Sequence, residues 1–136
     1  MKILVNRCYG GFSISDKAFE EYLKRTNQTF FKSEPKYSFG GSSYYKVPPE
    51  EYDAIHKEEL NNTTNPDRFK RSNELYLSSM NIERTDPILI EIVEEMGEDS
   101  FGVHSEIEVL EIPDGIDWEI EEYDGMEHVA ESHRTW

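Results

Sequence analysis

What constrains this chain most is where its acid lies. Residues 91–136 carry 16 Asp and Glu side chains against one base, Arg134, while residues 1–90 carry 13 of each sign. The formal net charge of -15 therefore belongs to the last third. A block of like charge usually stays solvated and unfolded. Here, however, the block is interleaved with Ile107, Val109, Leu110, Ile112, Ile116, Trp118, Ile120 and Val129 at strand-like spacing. Alternation along Glu106–Val109 and Asp117–Glu121 puts acids on one face and apolar residues on the other. The sequence thus predicts a folded acidic face. Like charges opposed across strands are destabilising, so such a face gains from a cationic partner. The same charge argues against direct binding of nucleic acid.

The length of 136 residues suits one domain, 1–136. Lys2–Cys8 reads as a strand broken by Gly10-Gly11, and Ser15 caps a helix from Asp16 with Ala18, Phe19, Tyr22 and Leu23 inward. Thr29–Phe31 is a short aromatic strand. Pro48-Pro49 opens a second helix to about Leu60, with Tyr52, Ile55 and Leu60 inward. Residues 34–46 and 61–72 read as mobile loops, and Glu74–Ser79 as a strand. Thr85-Asp86-Pro87 starts a third helix, capped by Thr85, that Gly97 ends. Ser105–Ile112 and Ile116–Glu122 form a C-terminal acidic hairpin about Pro113-Asp114-Gly115, and Tyr123-Asp124-Gly125 marks a further turn. The expected class is α+β: about three helices packed on a largely antiparallel sheet.

Two function classes follow. In the first, Glu106, Glu108, Glu119 and Glu121 on the acidic hairpin dock a basic protein. In the second, the glycine loops take a nucleotide-like or phosphorylated small ligand, because glycine lets backbone N–H groups approach an anion closely. Arg7, Tyr9, Gly10 and Gly11 would then act with Gly40, Gly41, Lys46, Asp124 and Arg134. The glycine spacing is neither dinucleotide-binding nor P-loop. A tight turn between strand and helix needs the same glycines without any ligand.

Cys8 is the only cysteine and His56, His104, His128 and His133 the only histidines. None stands at a spacing that dictates a catalytic or metal-ligating contact. No catalytic residue is named, no metal or cofactor is expected, and binding is expected rather than turnover. The single cysteine fits a reducing compartment, and no stretch has the length and apolarity of a membrane span. The expectation is a cytoplasmic protein without membrane contact. Association with a second copy stays open.

Asn6–Phe12, Arg84-Thr85-Asp86-Pro87, Glu111–Asp114, Glu122–Gly125 and His133–Trp136 together resemble a family of small acidic proteins of tailed bacteriophages and prophages. The resemblance covers both ends of the chain and not residues 24–75. It implies a setting rather than a mechanism: an accessory protein in the host cytoplasm that binds and modulates a host or defence component.

Overall fold

The computed structural model describes residues 1–34 and 42–131. The chain is α+β, and its described residues fall into two compact units. The first comprises residues 1–26 with those from 79 onward, and the second residues 27–78.

The first unit is organised around strand β1 (Lys2–Asn6). Ile3, Leu4, Val5 and Asn6 are wholly buried, so the strand must be covered on both faces and satisfied along both edges. Strand β5 (Ile107–Glu111) pairs antiparallel along one edge, with Leu4 opposite Val109 and Asn6 opposite Ile107. Helix α1 (Asp16–Arg25) starts where its sequence says: the Ser15 hydroxyl accepts from the Ala18 N–H. Helix α4 (Pro87–Met96) contributes Leu89, Ile90, Ile92 and Val93 to the core. Its cap is Asp86, not Thr85. The carboxylate takes the N–H groups of Ile88 and Leu89 and the hydroxyl of Tyr22 at 2.8 Å. Burial and this carboxylate push the Tyr22 phenol up to about 12. Arg25 closes the helix pair, reaching Glu21, Glu91 and Glu95.

Strands β6 (Trp118–Tyr123) and β7 (Met126–Glu131) form a hairpin in full register, Trp118 opposite Glu131 and Tyr123 opposite Met126. Asp124 and Gly125 both have positive φ, 49° and 88°, as a two-residue type I′ turn requires. This corrects the expected acidic hairpin. β5 pairs with β1, and β6 with the strand after it. Alternation fixed which side chains share a face, but partner choice followed the fully buried β1 and the two-residue Asp-Gly turn.

The second unit holds β2 (Phe31–Ser33), β3 (Ser43–Tyr45) and β4 (Tyr76–Leu77) in one antiparallel sheet of that order, with α2 (Pro49–Asn61) and α3 (Lys70–Leu75). Its interior is aromatic: Tyr45 stacks on Tyr52 at 4.1 Å, Tyr52 on His56 and His56 against Phe69. β3 lies within the expected 34–46 loop, and α3 begins within the expected 61–72 loop and takes Glu74 and Leu75 of the expected 74–79 strand, whose next two residues form β4. The α-helices among the described residues therefore number four rather than about three. Leu60, expected inward, is half exposed, and no residue of α2 is fully buried.

Candidate functional site

Beyond β1 the chain makes a junction of three loops, residues 7–12, 102–106 and 123–127, and Asn6 ties them together. Its side-chain nitrogen donates to the carbonyls of Cys8 (2.6 Å) and Gly125 (2.7 Å). Its side-chain oxygen accepts from the backbone N–H groups of Cys8 and Glu106. A polar residue ending an apolar strand pays for its burial only with such partners.

The glycines permit the closeness. A methyl group on Gly10 would overlap the His104 carbonyl, and one on Gly125 would fall 2.5 Å from the Gly11 nitrogen and 2.7 Å from the Tyr9 oxygen. The close approach that glycine allows is thus used by the chain's own backbone. Arg7 is also engaged, donating to Glu108 at 2.7 Å and to the Glu127 carbonyl at 3.0 Å.

Each loop presents a large apolar side chain to solvent: Tyr9 is 64% exposed, Val103 79% and Tyr123 72%. Each lies within two positions of a glycine-mediated contact, at Gly10, His104 and Gly125. The junction therefore displays three anchors on a backbone locked by Asn6, with Glu106 and Asp124 exposed beside them and without a cationic partner among the described residues.

Next to the junction, Glu127 and Arg84 form a buried pair, Nη1 to Oε1 at 2.6 Å and Nη2 to Oε2 at 2.9 Å. The guanidinium lies 3.6 Å over the Phe12 ring. The pair lines a cleft of about 680 Å³ between residues 80–85 and the β6–β7 hairpin, walled by Ile82, Trp118 and Ile120 and bordered by Glu83 and Glu122.

The structure thus unites Arg7, Tyr9, Gly10, Gly11 and Asp124, named from sequence as ligand residues, with Glu106 and Glu108, named as partner residues. Glu119 and Glu121 lie on the hairpin face opposite Trp118 and Ile120, and Glu121 meets the His128 ring at 2.7 Å. Lys46 is exposed in the second unit. Gly40, Gly41 and Arg134 lie outside the described residues. Sequence reasoning missed Asn6, Val103, Tyr123 and the Arg84–Glu127 pair. The amide of Asn6, directly after the apolar run Ile3–Val5, was the available signal. Among the described residues no group of three or more His, Cys, Asp or Glu is placed to hold a metal ion, and no helix is long and apolar enough to cross a membrane. No protein-family model, curated protein or solved structure matches the chain.

Proposed function

We propose that the protein binds a cationic protein surface through the three-loop junction and so modulates that partner. The observation that carries the reading is the combination at one place of exposed Tyr9, Val103 and Tyr123 with unpaired carboxylates. Binding energy at protein interfaces concentrates in rigid aromatic anchors, and surrounding charge sets partner choice and encounter rate. The first unit also holds 21 acidic residues against 7 basic ones over its full sequence. Four of those bases, Lys2, Arg7, Arg25 and Arg84, are already held in ion pairs. The partner supplies the missing positive charge. On the resemblance to phage proteins, the partner is a basic host or defence protein, and the acidic surface occupies the place of a nucleic-acid backbone on it.

The test is retention of the purified chain on immobilised poly-lysine and on basic proteins from a bacterial extract, across ionic strength. Both should weaken steeply from about 0.05 to 0.5 M salt, where the screening length contracts to a few ångströms. A Tyr9→Ala/Tyr123→Ala variant should keep its poly-lysine retention and lose the protein partner. Salt-insensitive binding, or a partner indifferent to both tyrosines, overturns the reading.

A further inference from the structure

β6 has one edge paired and one edge open. Its six residues run in unbroken register with β7, and no described strand lies along its other side. Tyr123 and Met126 flank the two-residue turn, so they exchange backbone hydrogen bonds, and every second residue back along β6 does the same. Glu119 and Glu121 therefore spend their backbone groups on β7. Trp118, Ile120 and Glu122 turn theirs outward, where no backbone partner meets them among the described residues.

An open edge is a template for another strand, and proteins commonly blunt it with proline, lysine or a bulge. β6 has none of these. It carries Glu119, Glu121 and Glu122 instead. Glu119 and Glu122 have no cationic partner among the described residues, and Glu121 meets the His128 ring. A second copy of β6 laid along this edge would add three more carboxylates to it, a destabilising arrangement. A strand rich in lysine or arginine meets the opposite condition. The residues also sort by face: Trp118, Ile120 and Glu122 line the cleft of about 680 Å³, and Glu119 and Glu121 lie on the other side. A cross-strand neighbour shares the face of the residue it opposes. The matching strand thus has apolar residues opposite Trp118 and Ile120 and cations opposite Glu119 and Glu121. The edge ends at Tyr123, an anchor of the three-loop junction, so edge and junction are continuous. β5 has an open edge too, but its Glu108 is already held by Arg7 at 2.7 Å.

We propose that the open edge of β6 takes an extended segment of a basic partner as an added antiparallel strand, in which lysine or arginine alternates with apolar residues. The inference rests on the cationic-partner reading above and adds the form in which that partner is held. Main-chain hydrogen bonds to Trp118, Ile120 and Glu122 supply affinity, and side chains alternating across the two faces supply selectivity.

The test is calorimetric titration of the full chain at low salt with a short blocked peptide of alternating lysine and valine, and with versions N-methylated at every valine or at every lysine. In the added strand the valine N–H groups face β6 and the lysine N–H groups face solvent. The parent and the lysine-methylated peptide should bind, and valine methylation should weaken binding by about tenfold or more, the equivalent of one or two hydrogen bonds. On saturation with the parent peptide, amide exchange should slow at Trp118, Ile120 and Glu122 and change little at Glu119 and Glu121, which β7 already protects. Glu122→Pro removes an outward donor and spares the ladder with β7, so it should lose the peptide. Glu122→Gln removes the same charge and keeps the donor, so it should retain the peptide. Circular dichroism establishes that both variants are folded. Absence of parent-peptide binding at millimolar concentration, equal binding by the two methylated peptides, or saturation without slowing at Ile120 and Glu122 overturns the added strand. If the same preparation still holds poly-lysine, the cationic-partner reading stands without it, whereas loss of poly-lysine retention removes both.

Discussion

Arg84 and Glu127 together occupy the edge of β1 that β5 leaves open. The Leu4 N–H donates to the Arg84 carbonyl at 2.9 Å and the Asn6 N–H to Glu127 Oε1 at 2.9 Å, while Arg84 Nη1 reaches the Leu4 carbonyl at 3.5 Å. An ion pair thus stands where a third strand would, and satisfies backbone groups that burial would otherwise leave orphaned.

The pair is unequal. Glu127's side chain is 6% exposed and Arg84's 20%. Arg84→Met strands a buried carboxylate and should cost about 3 kcal/mol. Glu127→Gln keeps an acceptor for Asn6 and leaves Arg84 stacked on Phe12, and should cost about 1–2 kcal/mol. Urea denaturation of the two variants checks the order, and equal losses would refute the edge-sealing role of the carboxylate.

Tyr22 and Asp86 link α1 to the start of α4. Because the folded phenol is raised to about 12 from an ordinary 10, its contribution is complete below pH 10 and is lost as pH rises toward 12. Wild-type stability should therefore fall over that interval by more than the stability of Tyr22→Phe. Parallel slopes in a pH series of thermal unfolding would contradict the assignment.

Gly10 has no room for a side chain against the His104 backbone. Gly10→Ala should lower stability by about 2 kcal/mol, the ordinary cost of overpacking. It should also raise amide exchange at Cys8 and Glu106, whose N–H groups bond to Asn6. Unchanged exchange at those two amides would show that the loops are not held as one.

Tyr123 is mostly exposed, so Tyr123→Ala should leave stability within about 0.5 kcal/mol of wild type. Partner affinity should nevertheless fall by about tenfold or more if the tyrosine is an interface anchor. Measuring both on one preparation separates an interface role from a structural one.

Much of the first unit was legible from local rules. Ser15 caps α1, Pro87 and Gly97 bound α4, and Asp124-Gly125 turns the hairpin, each through chemistry confined to a few neighbouring residues. Strand partners were not legible, since the alternation in Glu106–Val109 is satisfied equally by β1 or by a neighbour in sequence. The second unit was legible only in part: Pro49 opens α2 as expected and a strand lies within 74–79, but β3 and α3 were not foreseen, for another reason. Its interior is built from Tyr45, Tyr52, His56 and Phe69, which make half-buried ring contacts rather than an aliphatic stripe, so α2 was found by its Pro48-Pro49 start and α3 gave no periodic signal. Of the site residues, the glycines were legible as a place of close approach, but what approaches them is set by Asn6 and by loops about 100 positions away.

The pairing of β1 with β5 also orders events in time. Asn6 sits opposite Ile107, and 100 of the 136 residues lie between them. During synthesis this buried strand emerges before β5 and remains without its edge partner until β5 has been made. Closing so long a loop is entropically slow. Until then Ile3, Leu4 and Val5 form a short sticky segment in need of shelter, and the later-made β5 is what finally gives it one.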